Sequence, residues 1–239
     1  MALAAESPEG QAQELFSQGV DALNQGNANL ALEKFSAALK LDPELPEAYI
    51  NRGIALRRLG QYVEAVADFD QALKLAPKSP EALYNRALAY SLSGLYDKAV
   101  ADYTQASKYA PKDWQIFYNR GNAYLDQNQV KEALADYNQA LKLHPQSPEI
   151  LHNRGLAHLN LGQADQALKD ADAVLKLDGN FARARFVRAQ ALEKLDRKYD
   201  AMAAYRQFLS TGNPEKDRDL MQKALEQLKK LEGKDSSGQ

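Results

Sequence analysis

An Asn-Arg pair followed by a small residue occurs four times, as Asn51-Arg52-Gly53, Asn85-Arg86-Ala87, Asn119-Arg120-Gly121 and Asn153-Arg154-Gly155, each 34 residues after the one before. A period of about 20 to 50 residues marks a solenoid, because one such repeat cannot bury its apolar face alone and must stack on its neighbours. Chain length then counts repeats and not cores. Asn is a poor choice for a helix interior, costing roughly 0.5 kcal/mol against Ala because its amide competes for backbone hydrogen bonds. Its return at one repeat position asks for a reason.

The first repeat spans 12–45, with Gly19, Ala31, Phe35, Ala38 and Pro43 at offsets that recur down the chain. The next begin at Pro46, Pro80, Trp114, Pro148 and Ala182, giving 46–79, 80–113, 114–147, 148–181 and 182–213. Proline suits the first position of a helix, where its missing N–H has no partner to lose. Ser79 and Ser147 precede it as N-caps, and Glu47, Glu81 and Glu149 follow near the positive end of the helix. Gly60, Gly94 and Gly162 stand where the first helix must stop in a left-handed residue. Second helices follow, with apolar residues at helical spacing such as Tyr62, Val66, Phe69 and Leu73. They end at Pro43, Pro77, Pro111, Pro145 and then Gly179. Small residues, Gly53 with Ala65 and Ala72 and Gly121 with Ala133 and Ala140, are expected where paired helices touch. Beyond the repeats, 214–232 is expected to be a capping helix with Leu220, Met221, Ala224, Leu225, Leu228 and Leu231 on one side. Segments 1–11 and 233–239 are expected to be disordered.

Charge excludes one class of function. With 30 Lys and Arg against 32 Asp and Glu there is no basic footprint, so no nucleic-acid partner is expected. There is no Cys for disulfides or thiolate metal sites, and His144, His152 and His158 are too scattered for an imidazole site. No cofactor or metal is expected. No apolar run approaches a membrane span, and residues 1–10 lack the apolar core of a signal peptide, which predicts a cytoplasmic chain. The alternative is an exported protein, since Ala2-Leu3-Ala4 has the small-x-small form of a signal cleavage site. No phosphate-binding Gly-rich loop, H-E-x-x-H or G-x-S-x-G motif is present, so the chain is not expected to be an enzyme.

These residues resemble the tetratricopeptide repeat (TPR) family, as in Gly53, Ala65, Phe69, Ala72 and Pro77, and again in Gly121, Ala133, Tyr137, Ala140 and Pro145. The last two repeats depart from its pattern, with Ala171 for the aromatic, Val174 and Phe208 for Ala, and Gly179 for Pro. The resemblance implies an all-α fold, a right-handed superhelical α-solenoid of helix-turn-helix repeats with a C-terminal capping helix. It also implies a non-catalytic scaffold or adaptor whose first helices line a concave groove for an extended peptide or partner tail. In that family, positions 2, 5, 6, 9, 12 and 13 of the first helix face the groove. Asn51, Asn85, Asn119 and Asn153 fall at position 6 and Asn122 at position 9, where amides suit the N–H and C=O groups of a peptide backbone. Ile50, Tyr84 and Tyr118, at position 5, would supply apolar anchors, and Arg183 with Arg185 and Arg188 a basic end. The family's clamp for chaperone C-termini fits poorly, since Tyr118 and Val187 replace its first Lys and final Arg. The form resembles bacterial TPR assembly factors, with a monomer or weak oligomer expected.

Two other readings stay open: a self-assembling structural protein, and a regulatory subunit that docks an enzyme through its convex face. The arginines of the Asn-Arg pairs recur with Asp68, Asp102, Asp136 and Asp170 at the same period, which predicts an Arg–Asp ladder between helices. Spacing leaves open whether each pair forms within a repeat or across to the preceding one.

Overall fold

The computed structural model describes residues 7–233, so the Ala2-Leu3-Ala4 segment and most of the expected C-terminal tail lie outside the described residues. Among these residues the chain forms thirteen α-helices and no strand. It parts between Ala123 and Tyr124 into two compact halves. The N-terminal half holds α1 (Pro8–Asn24), α2 (Ala28–Leu41), α3 (Pro46–Arg58), α4 (Tyr62–Leu75), α5 (Pro80–Leu92), α6 (Tyr96–Tyr109) and most of α7 (Trp114–Asp126). The C-terminal half holds the end of α7 and then α8 (Val130–Leu143), α9 (Pro148–Asn160), α10 (Ala164–Leu177), α11 (Ala182–Lys194), α12 (Lys198–Thr211) and α13 (Arg218–Gly233). No described helix is long and apolar enough to cross a membrane.

The start signals act as expected. Ser79 Oγ accepts from Ala82 N at 3.2 Å and Ser147 Oγ from Ile150 N at 3.3 Å, each with proline next. The same device opens α1 earlier than expected: Ser7 Oγ accepts from Gly10 N, and Pro8 begins the helix inside the segment read as a disordered lead. Left-handed residues close the first helices, with φ of +78° at Gly60 and +73° at Gly94 and Gly162. In the fourth and sixth repeats the same place is taken by Asn128 at +60° and Asp196 at +57°. Every such turn bonds back across the helix end, as Gln61 N does to Leu56 O at 2.9 Å and Arg197 N to Leu192 O at 2.9 Å.

The recurring small residues of the first helices have a specific partner. A Cβ on Gly53 would lie 2.7 Å from Phe69 Cε1, and one on Gly19 would lie 2.5 Å from Phe35 Cε1. The small residue therefore seats the ring of the second helix as well as the alanines Ala65 and Ala72, all fully buried. In the fifth repeat the ring is gone; Ala171 replaces it, and a Cβ on Gly155 would have 3.5 Å to its nearest neighbours. In the C-terminal half, Ala224, Leu228 and Leu231 of α13 join the cluster around Tyr205 and Phe208. Leu225, expected on that side, is instead exposed, because the buried face of α13 follows the seven-residue series of Ala224 and Leu231 with Leu228 between.

The Arg–Asp ladder forms within repeats. Arg52 donates through Nε and Nη2 to Asp68 at 2.7 and 2.6 Å, Arg86 to Asp102 at 2.6 and 2.7 Å, and Arg154 to Asp170 at 2.8 and 2.6 Å. Each is a fork-to-fork pair, the strongest geometry for these groups. The remaining Nη1 turns to the preceding second helix, reaching Ser36 from Arg52, Asp70 from Arg86, Thr104 from Arg120 and Asn138 from Arg154. In the sixth repeat Ala204 stands in place of the Asp, and Arg188 keeps only the backward link, to Asp172 at 2.7 Å. One side chain thus joins three helices.

Candidate functional site

Position 6 of the first helices is occupied by amides that are already half employed. Nδ2 of Asn51 donates to Glu47 O at 2.9 Å, that of Asn85 to Glu81 O at 3.0 Å, and that of Asn119 to Gln115 O at 2.9 Å. Each bond reaches one turn back along its own helix. This local bond offsets part of the helix cost of Asn and leaves Oδ1 for another partner, together with a second N–H in Asn51 and Asn85. Asn119 also donates to Tyr84 Oη at 3.0 Å, tying α7 to α5. Asn51, Asn119, Asn122 and Asn153 are partly exposed, while Asn85 is only 6% exposed.

Position 5 divides by side-chain length. Ile50 is 4% exposed and packs with Phe69 and Leu56, so it belongs to the core and not to a groove wall. Its short branched chain ends against the second helix. Tyr84 begins the same way, its ring tilted on Tyr103 at 5.9 Å, but its hydroxyl reaches past the core to Asn119. Burial, followed by the charge of Asp113, raises the Tyr84 phenol above its usual range, so it stays protonated. Tyr118 is half-buried against Trp114 at 6.3 Å. Pro80, Glu81, Tyr84 and Asn85 of α5 face Ala110, Asp113 and Gln115 across an open cavity of about 320 Å³. Asp113 and Gln115 were not singled out from the sequence; Gln115 stands at position 2 of its repeat, the signal that marks it.

The expected basic end is spoken for. Arg183 Nε donates to Asp217 at 2.6 Å and its Nη2 to Lys216 O, Arg185 donates to Gly179 O at 2.5 Å, and Arg188 to Asp172. Asp217 had no visible role in the sequence, yet it also accepts from Asn213 N at 3.0 Å and fixes the turn before α13. His152, at position 5 of the fifth repeat, lies 5.1 Å from the Phe181 ring with its Nδ1 buried and unpartnered. Burial, with a smaller push from Arg183, lowers its pKa to about 4. The unfolded chain binds this proton from about pH 6.5 downward, so its share of stability is complete above that value and is lost as pH falls through about 4. His152→Phe is expected to flatten the acid side of the melting-temperature profile between those pH values; a slope equal to that of the wild type would refute this assignment. No group of three or more His, Asp or Glu is placed to hold a metal among the described residues.

Antiparallel helix pairs on a 34-residue period, with a polar row on successive first helices, define a helical-repeat protein of the kind that scaffolds protein–protein interactions. The chain belongs to the tetratricopeptide repeat family, whose profile matches residues 16–80, 50–101 and 152–217, while a further profile described as TPR repeat matches 90–128 and 121–162. Members of the family are generally non-catalytic scaffolds. An uncharacterized protein of Methanocaldococcus jannaschii, MJ0572, is 42% identical over 50 residues, which are 21% of this chain and 58% of that protein. This chain thus spans less than two thirds of that relative. Among solved structures, PilF of Pseudomonas aeruginosa superposes with a TM-score of 0.77 at 17% identity, over 93% of this chain and 100% of the other. PilW, a type IV pilus biogenesis factor, gives 0.76 at 20% identity, over 90% and 98%. YrrB, described as a TPR protein with an unusual peptide-binding site, gives 0.71 at 23% identity, over 82% and 100%. At these identities the likeness is one of fold.

Proposed function

We propose that the protein is an adaptor that holds an extended peptide or partner tail against its first helices. The carrying observation is the pattern of half-employed amides on α3, α5 and α7, where Asn51, Asn85 and Asn119 each anchor Nδ2 on their own helix and keep an acceptor for a peptide N–H. Asn122 and Asn153 are further partly exposed amides on first helices. Tyr84 and the cavity beside Asn85 offer a seat for one peptide side chain, Tyr118 adds aromatic surface on α7, and in the C-terminal half Arg183 keeps a half-exposed guanidinium in its pair with Asp217. Each amide bond to a peptide is worth on the order of 1 kcal/mol net. A few of them supply part of the roughly 8 kcal/mol of a micromolar complex; the side-chain seats supply the rest.

Docking through the second helices has less support. Val63 and Tyr199 are the most exposed large apolar residues of the described second helices, at 81% and 72%, and lie on α4 and α12; scattered single apolar residues on a surface are ordinary. Replacement of Asn85, Asn119 and Asn153 together by alanine tests the reading against peptides selected from a random library on the wild-type chain. The expected result is unchanged helical circular dichroism with affinity lower by at least tenfold. Unchanged affinity would remove the amides from the site, and sedimentation over a concentration range tests the expected monomer or weak oligomer.

A further inference from the structure

The cavity beside Asn85 carries negative charge and none to balance it. Glu81, in the first turn of α5, and Asp113, just before α7, both line it, and no Lys or Arg does. Among the described residues neither carboxylate is in an ion pair. Asn85 shares the lining and is only 6% exposed; its Nδ2 is anchored on Glu81 O, and its Oδ1 has no partner among the described residues.

The charge is particular to this place in the series. The residue before each of these first helices is Leu45, Ser79, Asp113, Ser147 or Phe181 in turn. Ser79 and Ser147 cap their helices with the one side-chain oxygen they have. Asp113 serves the start of α7 with one oxygen of two, its Oδ1 accepting from Gln115 N at 3.0 Å. Capping therefore accounts for Oδ1 and leaves the second oxygen and the charge without a use. Helix N-termini favour acidic side chains singly, but two carboxylates on one cavity oppose each other unless a cation joins them.

A basic side chain answers each part of the lining. Its methylene stem suits Pro80, Ala110 and the ring of Tyr84. Its N–H groups suit the two carboxylates and the spare Oδ1 of Asn85, and a cation beside a tyrosine ring gains a further attraction. An acidic side chain would instead add a third negative charge. An apolar one would strip water from the carboxylates and give them no partner in exchange.

We infer that this cavity is a subsite for a basic side chain, Lys or Arg, of the bound peptide, and that Asp113 sets the preference. The inference rests on the peptide-binding reading above.

The test captures a soluble library of random nonamer peptides, prepared once with free and once with acetylated N-termini, on the full chain and on Asp113→Ser, with bound peptides identified by mass spectrometry. Serine caps the first helices on either side, so this variant removes the charge and keeps the cap. The expected result is about fivefold or greater enrichment of Lys and Arg over Gln and Met at one position in both preparations, lost with Asp113→Ser while capture persists. Fivefold corresponds to about 1 kcal/mol, the upper range for an exposed ion pair. Enrichment that disappears on acetylation would overturn the inference in favour of the terminal amine. Identical pools from the two proteins would also overturn it and leave the peptide-binding reading intact. Wild-type capture no greater than that of the triple Asn variant would overturn both. Glu81→Gln is expected to weaken the same preference with unchanged circular dichroism, which keeps the test valid if Asp113→Ser fails to fold. A preference unaltered in Glu81→Gln would overturn the joint use of the two carboxylates.

Discussion

Asp102→Ala is expected to lower stability by about 3 kcal/mol, the order found when one partner of a buried ion pair is removed. Asp102 is buried and accepts both Nε and Nη2 of Arg86, whose side chain is itself only 21% exposed. These bonds, with those to Asp70, hold the guanidinium pKa above its usual value despite burial. Without Asp102 the charge remains in place with only Asp70 to answer it, and Asp70 is 43% exposed. The comparison is therefore Asp70→Ala, which should cost about 1 kcal/mol or less because its pair is partly screened by water. Urea denaturation of the two variants checks the ranking. Equal losses would mean that the fork to the same repeat and the single bond to the preceding one have equal weight.

The second large effect is steric. Gly53→Ala is expected to cost about 2 kcal/mol, as overpacking does in a filled core. Its new methyl would meet ring atoms of Phe69 at 2.7 and 2.8 Å, and that ring is fully enclosed and has no free direction in which to move. Gly155→Ala occupies the same repeat position and should raise stability by about 0.5 kcal/mol through helix propensity alone, since its neighbours stand at 3.5 Å. Opposite shifts of the thermal midpoint are the expected outcome. A similar loss at both sites would show that the requirement for glycine comes from something other than the ring.

Much of this architecture was legible before any coordinates. Helix starts follow from Ser-Pro, and the stops at Gly60, Gly94 and Gly162 follow from the need for a left-handed residue. The equivalent stops at Asn128 and Asp196 were not, since neither residue type announces that conformation as glycine does. Arginine pairing was half legible. A 34-residue period fixes that Arg86 and Asp102 recur together, but the residues 16 before and 16 after each arginine are equally near in sequence, and only packing shows that both are used. The candidate site was read through repeat position, which cannot see side-chain reach. Ile50 and Tyr84 share a position, yet one ends in the core and the other extends to Asn119. Position likewise gave no hint that Arg183 would be held by Asp217, which lies beyond the repeats.

The arginine bridge has a direction. Within each half, the spare Nη1 always points to the second helix of the repeat before, from Arg52 to Ser36, Arg86 to Asp70 and Arg154 to Asn138, and never forward. Shortening the array is therefore not symmetric. Removing an early repeat strips a later arginine of one acceptor, a loss that water can make good at the new end. Removing a later repeat instead takes away the arginine itself and leaves the preceding second helix without its outer clasp. The series is fastened from behind, and each repeat's hold on its second helix is completed only by the one that follows.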